Sequence, residues 1–278
     1  WAGTWPESFL ANMDETGRCH ASINTLQART ARMSITGIPA QTLPSKDWLV
    51  RRCFLADEGH VATSVDYVNQ ELRVMAALSG DADMTRAFKN NQDLHLLTAR
   101  AAFGEHVQKG DRERDYGKGA NFAKAFGGGV NAIVEQFGIS RPNAEKVVKA
   151  FDATYVGVTQ FSKRLQQEAR KNGFITTATG RRLYVDKERP YSALNYMVQS
   201  SSRDVTASAI IRLDKAGFTP WIRLPIHDEV LFSFPKEQAH ELAQEAGRIM
   251  TQSLRGLEIT TDPEVGGRSW GSLYGADY

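Results

Sequence analysis

Cysteine is nearly absent from this sequence: Cys19 and Cys53 are the only two in 278 residues. Two thiols without metal-ligand spacing exclude a zinc-stapled or disulfide-stapled scaffold and read as reduced, buried side chains of a cytosolic protein. Long hydrophobic runs are missing too. No stretch approaches the roughly 20 apolar residues that cross a bilayer, which argues against a helical membrane anchor. Net charge is almost nil, +2 from 34 basic and 32 acidic residues. A chain that grips nucleic acid by evenly spread positive charge is therefore excluded, and any basic surface has to be local. There are no internal repeats and no low-complexity tracts, so solenoids and disordered linkers drop out. An initiating Met is lacking as well. The chain opens on Trp1 with no signal peptide, which predicts a piece of a longer or processed protein.

What is present describes an ordinary globular protein, with 41% hydrophobic and 24% charged residues and enough length for one large domain or two smaller ones. Residues 17–25 alternate weakly and read as a strand. A clearer strand covers 60–66 and ends at Asp66. A helix over 70–79 is stopped by Gly80. Asp93 is placed to cap a helix over 94–103 that ends at Gly104. A helix over 112–126 runs into three glycines at 127–129. Ser140-Arg141-Pro142 opens another helix, with proline in its first turn. Further helices are predicted at 158–171, 191–215 and 236–254. Strands at 174–177 and 182–185 flank Thr179-Gly180, and strands at 222–227 and 230–234 flank His227-Asp228-Glu229. Strands early and late around a helical middle make the chain α+β.

Two carboxylates end short apolar stretches, Asp66 after HVATSV and Asp228 after LPIH. They are far apart in sequence, so only folding can unite them. United, such a pair can hold two Mg²⁺ ions about 3.5–4 Å apart, which suits phosphoryl transfer. Taken singly, each is also a turn residue of the kind Asp favours. Basic residues collect at 109–124, 163–172 and 181–189, as solvated helix faces or as anion-binding surface. In the first cluster Arg114, Lys118, Phe122 and Phe126 recur every four residues and form one helical stripe. Cations at one end and rings at the other suit a nucleotide, unless the stripe is simply the wet face of an amphipathic helix. His95, just after Asp93 at a helix start, is placed where N–H groups favour a phosphate.

In this order VDYVNQELR (65–73), RDYGKGANFAKAFGG (114–128) and IHDEV (226–230) resemble motifs A, B and C of the family A DNA polymerases, the bacterial DNA polymerase I type and its phage relatives. The resemblance runs from about Gly17 to Trp270. It implies a right-hand palm, an antiparallel sheet with helices, formed by 1–85 and 190–278. A helical fingers insertion over 86–189 follows, with the thumb and exonuclease upstream in a longer protein or on a separate replication subunit. It implies a template-directed DNA polymerase in bacterial or phage-infected cytoplasm, taking primer–template DNA and dNTPs, with two Mg²⁺ ions or Mn²⁺ in their place. Asp66, Asp228 and the Tyr67 carbonyl would then be metal ligands, and Glu229 a secondary catalytic carboxylate. Arg114, Lys118 and His95 would hold the triphosphate, with Lys118 also protonating the leaving pyrophosphate.

The same resemblance makes Phe122 and Phe126 the base and sugar platform. Phe at 122 is the form that discriminates against nucleotides lacking a 3′-hydroxyl. Glu71, with Tyr67 packed beside it, would be the gate that rejects a 2′-hydroxyl. Arg32, Gln41, Arg51, Arg73, Arg181, Asn195, Gln199 and His227 would touch primer or template, some by minor-groove acceptors common to every base pair. The chain departs from the family pattern at several places. Val68, Asn69 and Gln70 replace the usual Ser-Gln-Ile and point to a phage-like branch. Phe126 stands where many members have Tyr, and Tyr191 where they have Arg. Gly117 and Gly119, each costing about 1 kcal/mol inside a helix, predict a helix that bends easily. A single-subunit RNA polymerase and a catalytically silent binding module remain as rivals.

Overall fold

A computed structural model describes residues 5–43 and 48–278, apart from the side chains of Trp5 and Pro6. Trp1 lies outside the described residues. Along the chain come α1 (Trp5–Ala11), β1 (Ser22–Asn24), β2 (Ser34–Thr36), α2 (Trp48–Arg51) and β3 (His60–Tyr67). A run of helices follows: α3 (Gln70–Ser79), α4 (Ala82–Lys89), α5 (Leu94–Phe103), α6 (Arg112–Ala125), α7 (Val130–Phe137), α8 (Arg141–Thr154) and α9 (Val156–Asn172). Next are β4 (Phe174–Thr176), β5 (Arg182–Tyr184), α10 (Ala193–Lys215), β6 (Ile222–Ile226) and β7 (Glu229–Pro235). The chain closes with α11 (Ala239–Met250), β8 (Gln252–Leu254), β9 (Leu257–Ile259) and β10 (Thr261–Val265). None of the described helices is long and apolar enough to cross a membrane.

Two compact units result. The first takes residues 1–68, 203–252 and 260–278, and the second takes 69–202 and 253–259. Residues 69–85 and 190–202, grouped by sequence with the sheet, fall with the helices because α3 packs on α4, α6 and α9.

The first unit is built on an antiparallel sheet in the order β10-β3-β7-β6. Val61, Ala62, Thr63, Ser64 and Val65 of β3 are all buried, so this strand is covered on both faces, as a near-continuous apolar run requires. Helix α11 lies against β10 and β3. Gly247 permits that approach, since a Cβ there would stand 2.7 Å from Pro263 Cγ. Another part of the core gathers Phe9, Ile38, Leu43, Leu224, Ile226, Leu231 and Trp270.

Hairpin β6–β7 turns through only His227 and Asp228, with Ile226 paired to Glu229. His227 takes φ +56° to make the turn, a left-handed state that costs a side-chain-bearing residue about 1–2 kcal/mol. The helix predicted over 236–254 is the shorter α11. Beyond it β8 reverses through Arg255 and Gly256, both at positive φ, into its partner β9, and β10 follows. Three-residue strands around such a turn leave little periodicity to read. The weak alternation over 17–25 resolves into β1, paired with β2.

The second unit is helical. Helices α5, α6 and α8 pack on one another, and Ala120, Ala123, Ile133, Ile139, Ala144 and Val147 form a common core. Gly117 sits where α6 presses on α5: a Cβ there would be 2.2 Å from the His95 carbonyl oxygen and 3.0 Å from Ala99 N. A Cβ at Gly119 would stand 3.1 Å from the Phe137 ring. Both glycines are buried at packed surfaces. Their presence follows from close helix approach, which replaces the flexibility inferred from sequence. The two thiols are free; Cys19 is half-buried and Cys53 is exposed rather than buried.

Gly117→Ala is expected to lower stability by about 2–3 kcal/mol, because neither helix backbone can give way cheaply. Gly110→Ala, at a turn with open space around it, is the neutral control. Urea denaturation of the three proteins decides the matter; equal midpoints would remove the close-packing argument.

Candidate active site

The antiparallel register sets the first cluster. Asp66 pairs with Glu229 on one side and with Asp262 on the other, so three carboxylates lie in one row across β7, β3 and β10. Asp228 precedes Glu229 at the hairpin turn, and its carbonyl accepts the Tyr67 N–H at 3.2 Å. Glu229 is braced by the Ser64 hydroxyl at 2.6 Å. Burial, then the charges of Asp228 and Glu229, pushes the Asp66 carboxyl up to about 7. Burial also raises Asp228 and Glu229, against the pull of His227 and Arg32 on the former and of the Ser64 hydrogen bond on the latter. His227 is lowered by desolvation and by Arg32. The cluster thus gathers carboxylates whose charged forms are disfavoured by burial and, at Asp66, by its neighbours' charges.

Among the described residues no three or more His, Cys, Asp or Glu side chains close around one point. An open pair of hard carboxylate oxygens suits Mg²⁺, which takes one or two carboxylates and leaves its other positions to water or a substrate phosphate.

The second cluster lies wholly on the helical unit. Asp93 caps α5, its Oδ1 accepting the His95 and Leu96 N–H groups at 3.0 and 3.1 Å. Its other oxygen accepts Arg114 Nε at 2.8 Å. Burial alone would raise Asp93, but the Arg114 hydrogen bond holds its carboxyl below the usual range. One carboxylate therefore starts α5 and anchors a cation of α6. Lys118 is exposed one turn on. The Phe122 ring is 5.6 Å from His95 and 6.3 Å from Phe126, nearly parallel to the latter. Desolvation lowers His95 to about 4, with Arg114 and Lys118 acting the same way. The imidazole is neutral at physiological pH.

Several residues expected to meet substrate have internal duties. The Tyr67 side chain is 2% exposed, and its hydroxyl donates to the Met250 carbonyl at 2.7 Å, so the ring faces inward instead of packing at a sugar gate. Gln41 spends both ends of its amide on the backbone of Ile35 and Met33. Arg51 is buried, with Trp270 and Tyr274 against its guanidinium. Arg73 is buried over Phe88 and donates to the Glu258 carbonyl. The burial of Arg51 and Arg73, and the backbone hydrogen bonds of the half-buried Gln41, weigh against the DNA contacts expected of these three. Glu71 is buried in the first turn of α3. Arg32, within electrostatic reach of Asp228, is half-buried, as are Arg181, Asn195 and Gln199. Sequence reasoning missed Ser64, Asp262, Thr98, Asn121 and Tyr155. The first is legible as the same-face neighbour of Asp66, two residues back on the strand; the second needed β10.

An antiparallel sheet with a carboxylate row at a hairpin, and a helical unit with a cation–aromatic stripe, is the architecture of a polymerase domain. The chain belongs to DNA polymerase family A, whose family model matches residues 3–272. The DNA polymerases of Mycobacterium phages D29 and L5 are 59% and 57% identical over all 278 residues, as the departures at 68–70 anticipated. Those matches cover 46% and 45% of the phage proteins, so the chain spans less than half their length. Thermostable DNA polymerase I of Thermus aquaticus is 30% identical over 92% of the chain and 33% of its own length. The POL domain of Pol1 from M. smegmatis, solved in complex with DNA primer-template and dNTP, matches with TM-score 0.85 at 28% identity, covering 96% of this chain and 50% of that one.

The carboxylate row carries a stability consequence. Folded Asp66 releases its proton near 7 and the unfolded residue near 3.8, so the folded state holds more proton between those values. Stability from this group is greatest below 3.8 and falls as pH rises through 7. Asp66→Asn is expected to melt higher than the parent at pH 8 in EDTA, with the gap closing at low pH. Equal melting at pH 8 would contradict the repulsion.

Proposed function

We propose that this chain is the catalytic portion of a template-directed DNA polymerase, extending a primer 3′-hydroxyl with dNTPs and releasing pyrophosphate. The observation that carries the reading is the register of β3 on β7, which assembles Asp66 beside Asp228 and Glu229 in a chain of this family. Asp66, Asp228 and the Tyr67 carbonyl are the ligands assigned to two Mg²⁺ ions, or Mn²⁺. Held by these ligands, such ions would supply a lowered pKa at the primer hydroxyl and neutralisation of charge on the triphosphate.

The remaining work falls to side chains. Arg114, Lys118 and His95 bind triphosphate oxygens; Phe122 and Phe126 support sugar and base. A bond forms from the 3′-oxygen to the α-phosphorus as the bond to the β-phosphate oxygen breaks, and Lys118 gives that leaving oxygen a proton. Catalysis is then chiefly positioning and charge neutralisation. Glu229, held by Ser64, keeps the row ordered. Glu71 is assigned to rejection of the 2′-hydroxyl. Arg32, His227, Arg181, Asn195 and Gln199 remain the contacts to primer and template. In palm-and-fingers terms, 86–189 are the fingers and 1–85 with 190–278 the palm. Thumb and exonuclease functions are assigned to the longer protein or to a separate replication subunit.

The test is primer extension with Mg²⁺ and dNTPs, by this chain and by the full-length protein. Asp228→Ala is expected to lower the rate roughly a thousandfold or more, about 4 kcal/mol of transition-state stabilisation. Full activity in that variant would remove Asp228 from the reaction. Preference for rNTPs would move the chain to RNA synthesis. Primer–template binding without extension by the full-length protein would leave a binding module.

A further inference from the structure

Beneath the His95 ring runs a chain of buried polar side chains. The Tyr155 hydroxyl is 3.1 Å from Thr98 Oγ1, which is 2.9 Å from Asn121 Oδ1. Asn121 Nδ2 is in turn 3.0 Å from His95 Nδ1. Thr98 and Asn121 are fully buried, Tyr155 is 1% exposed and His95 7%. They come from α5, from α6 and from the junction of α8 with α9, and all belong to the helical unit.

The donor directions follow from the geometry. Asn121 Nδ2 also lies 3.4 Å from the Leu94 carbonyl oxygen, and a flipped amide would set two oxygens against each other there. The amide nitrogen therefore donates toward Nδ1. Thr98 Oγ1 has two acceptors in reach, the Leu94 carbonyl at 2.9 Å and Asn121 Oδ1. The Leu94 carbonyl already has the N–H of its own helix. The amide oxygen would be left buried without a donor, a loss of about 1–3 kcal/mol, so the hydroxyl points to it. Tyr155 completes the series by donating to Thr98, and burial keeps its proton in place up to about 12. An acceptor at Nδ1 leaves the ring proton on Nε2. The charged groups around the ring are Asp93, Arg114 and Lys118.

We infer that Tyr155, Thr98 and Asn121 are positioning residues that hold His95 as the Nε2–H tautomer, making it a neutral hydrogen-bond donor to a phosphate oxygen and not a proton acceptor. This rests on the reading of the α5–α6 face as the triphosphate-holding surface. The relay selects the tautomer with the opposite polarity to a carboxylate or carbonyl behind a metal-binding histidine, which accepts the ring N–H; here a hydroxyl-backed amide donates to the bare ring nitrogen. Arg114 and Lys118 supply charge, while His95 supplies direction.

The experiment is long-range ¹H–¹⁵N NMR on the chain labelled at histidine and arginine. There are six histidines, and His95 is assigned by the signal lost in His95→Gln. At pH 7 the expected spectrum has Nε2 protonated and Nδ1 bare, and inorganic triphosphate shifts both His95 Nε2 and Arg114 Nε. Thr98→Val, close in shape, frees the amide to turn and brings in an Nδ1–H population; Thr98→Ser restores the single form. Asn121→Asp, if it folds, shifts the proton to Nδ1 outright. A protonated Nδ1 in the parent chain, or a Thr98→Val spectrum identical to it, overturns the relay. Triphosphate that moves Arg114 but not His95 overturns the donor role and leaves the phosphate face standing. Triphosphate that moves neither overturns both.

Discussion

The pairing register of β3 on β7 is the constraint on which the carboxylate site depends. Side chains alternate along a strand, so a slip of one residue would carry Asp66 to the opposite face and away from Glu229. Register is held because β3 is buried on both faces, so a slipped strand would force Val61 and Val65 into places packed around Ala62 and Ser64. The two-residue turn at His227 and Asp228 fixes the partner strand, at the cost of a left-handed histidine. Three carboxylates in one row repel one another, and the apolar sheet around them supplies the stability that tolerates it. The fold thus keeps charge where a cationic ligand would relieve it.

The helical unit obtains its order differently. There, α6 approaches α5 so closely that only a glycine fits at 117. That approach brings Asn121 against His95 and Arg114 against Asp93. Asp93 caps one helix and pairs with a cation of the other, so the position of the basic stripe is tied to the start of α5. A surface lysine or arginine would ordinarily wander among rotamers; Arg114 is only 23% exposed at its side chain and is fixed by that pair. The stripe is therefore a shaped surface whose charge and hydrogen-bond directions are set by what lies beneath.

Legibility in the sequence followed the strength of the local signal. Helices that stop at a glycine, such as α3, α5 and α9, were readable to within a residue or two, because that stop signal is local. β10 was not, since three short strands after α11 have too few residues to show a period, and Asp262 was lost with it. Roles inferred for long polar residues were the least secure. Arg51, Arg73 and Gln41 look like surface contacts in sequence, yet each is spent inside its unit on rings or backbone. Nothing local distinguishes an arginine that reaches DNA from one that lies over Trp270, because the ring arrives from the far end of the chain.

By itself the sequence determined the chemistry: which carboxylates, cations and rings stand at motif spacing, and hence the family. Residue type and short-range periodicity are enough for that, as both are written within a few turns of one element. Only the tertiary structure decided which groups act together. Asp66 and Glu229 become neighbours through a register, Gly117 becomes obligatory through a helix crossing, and a tyrosine, a threonine and an asparagine join at His95 through three separate segments. Such relations depend on long-range packing, in which each partner's place is fixed by residues elsewhere in the chain.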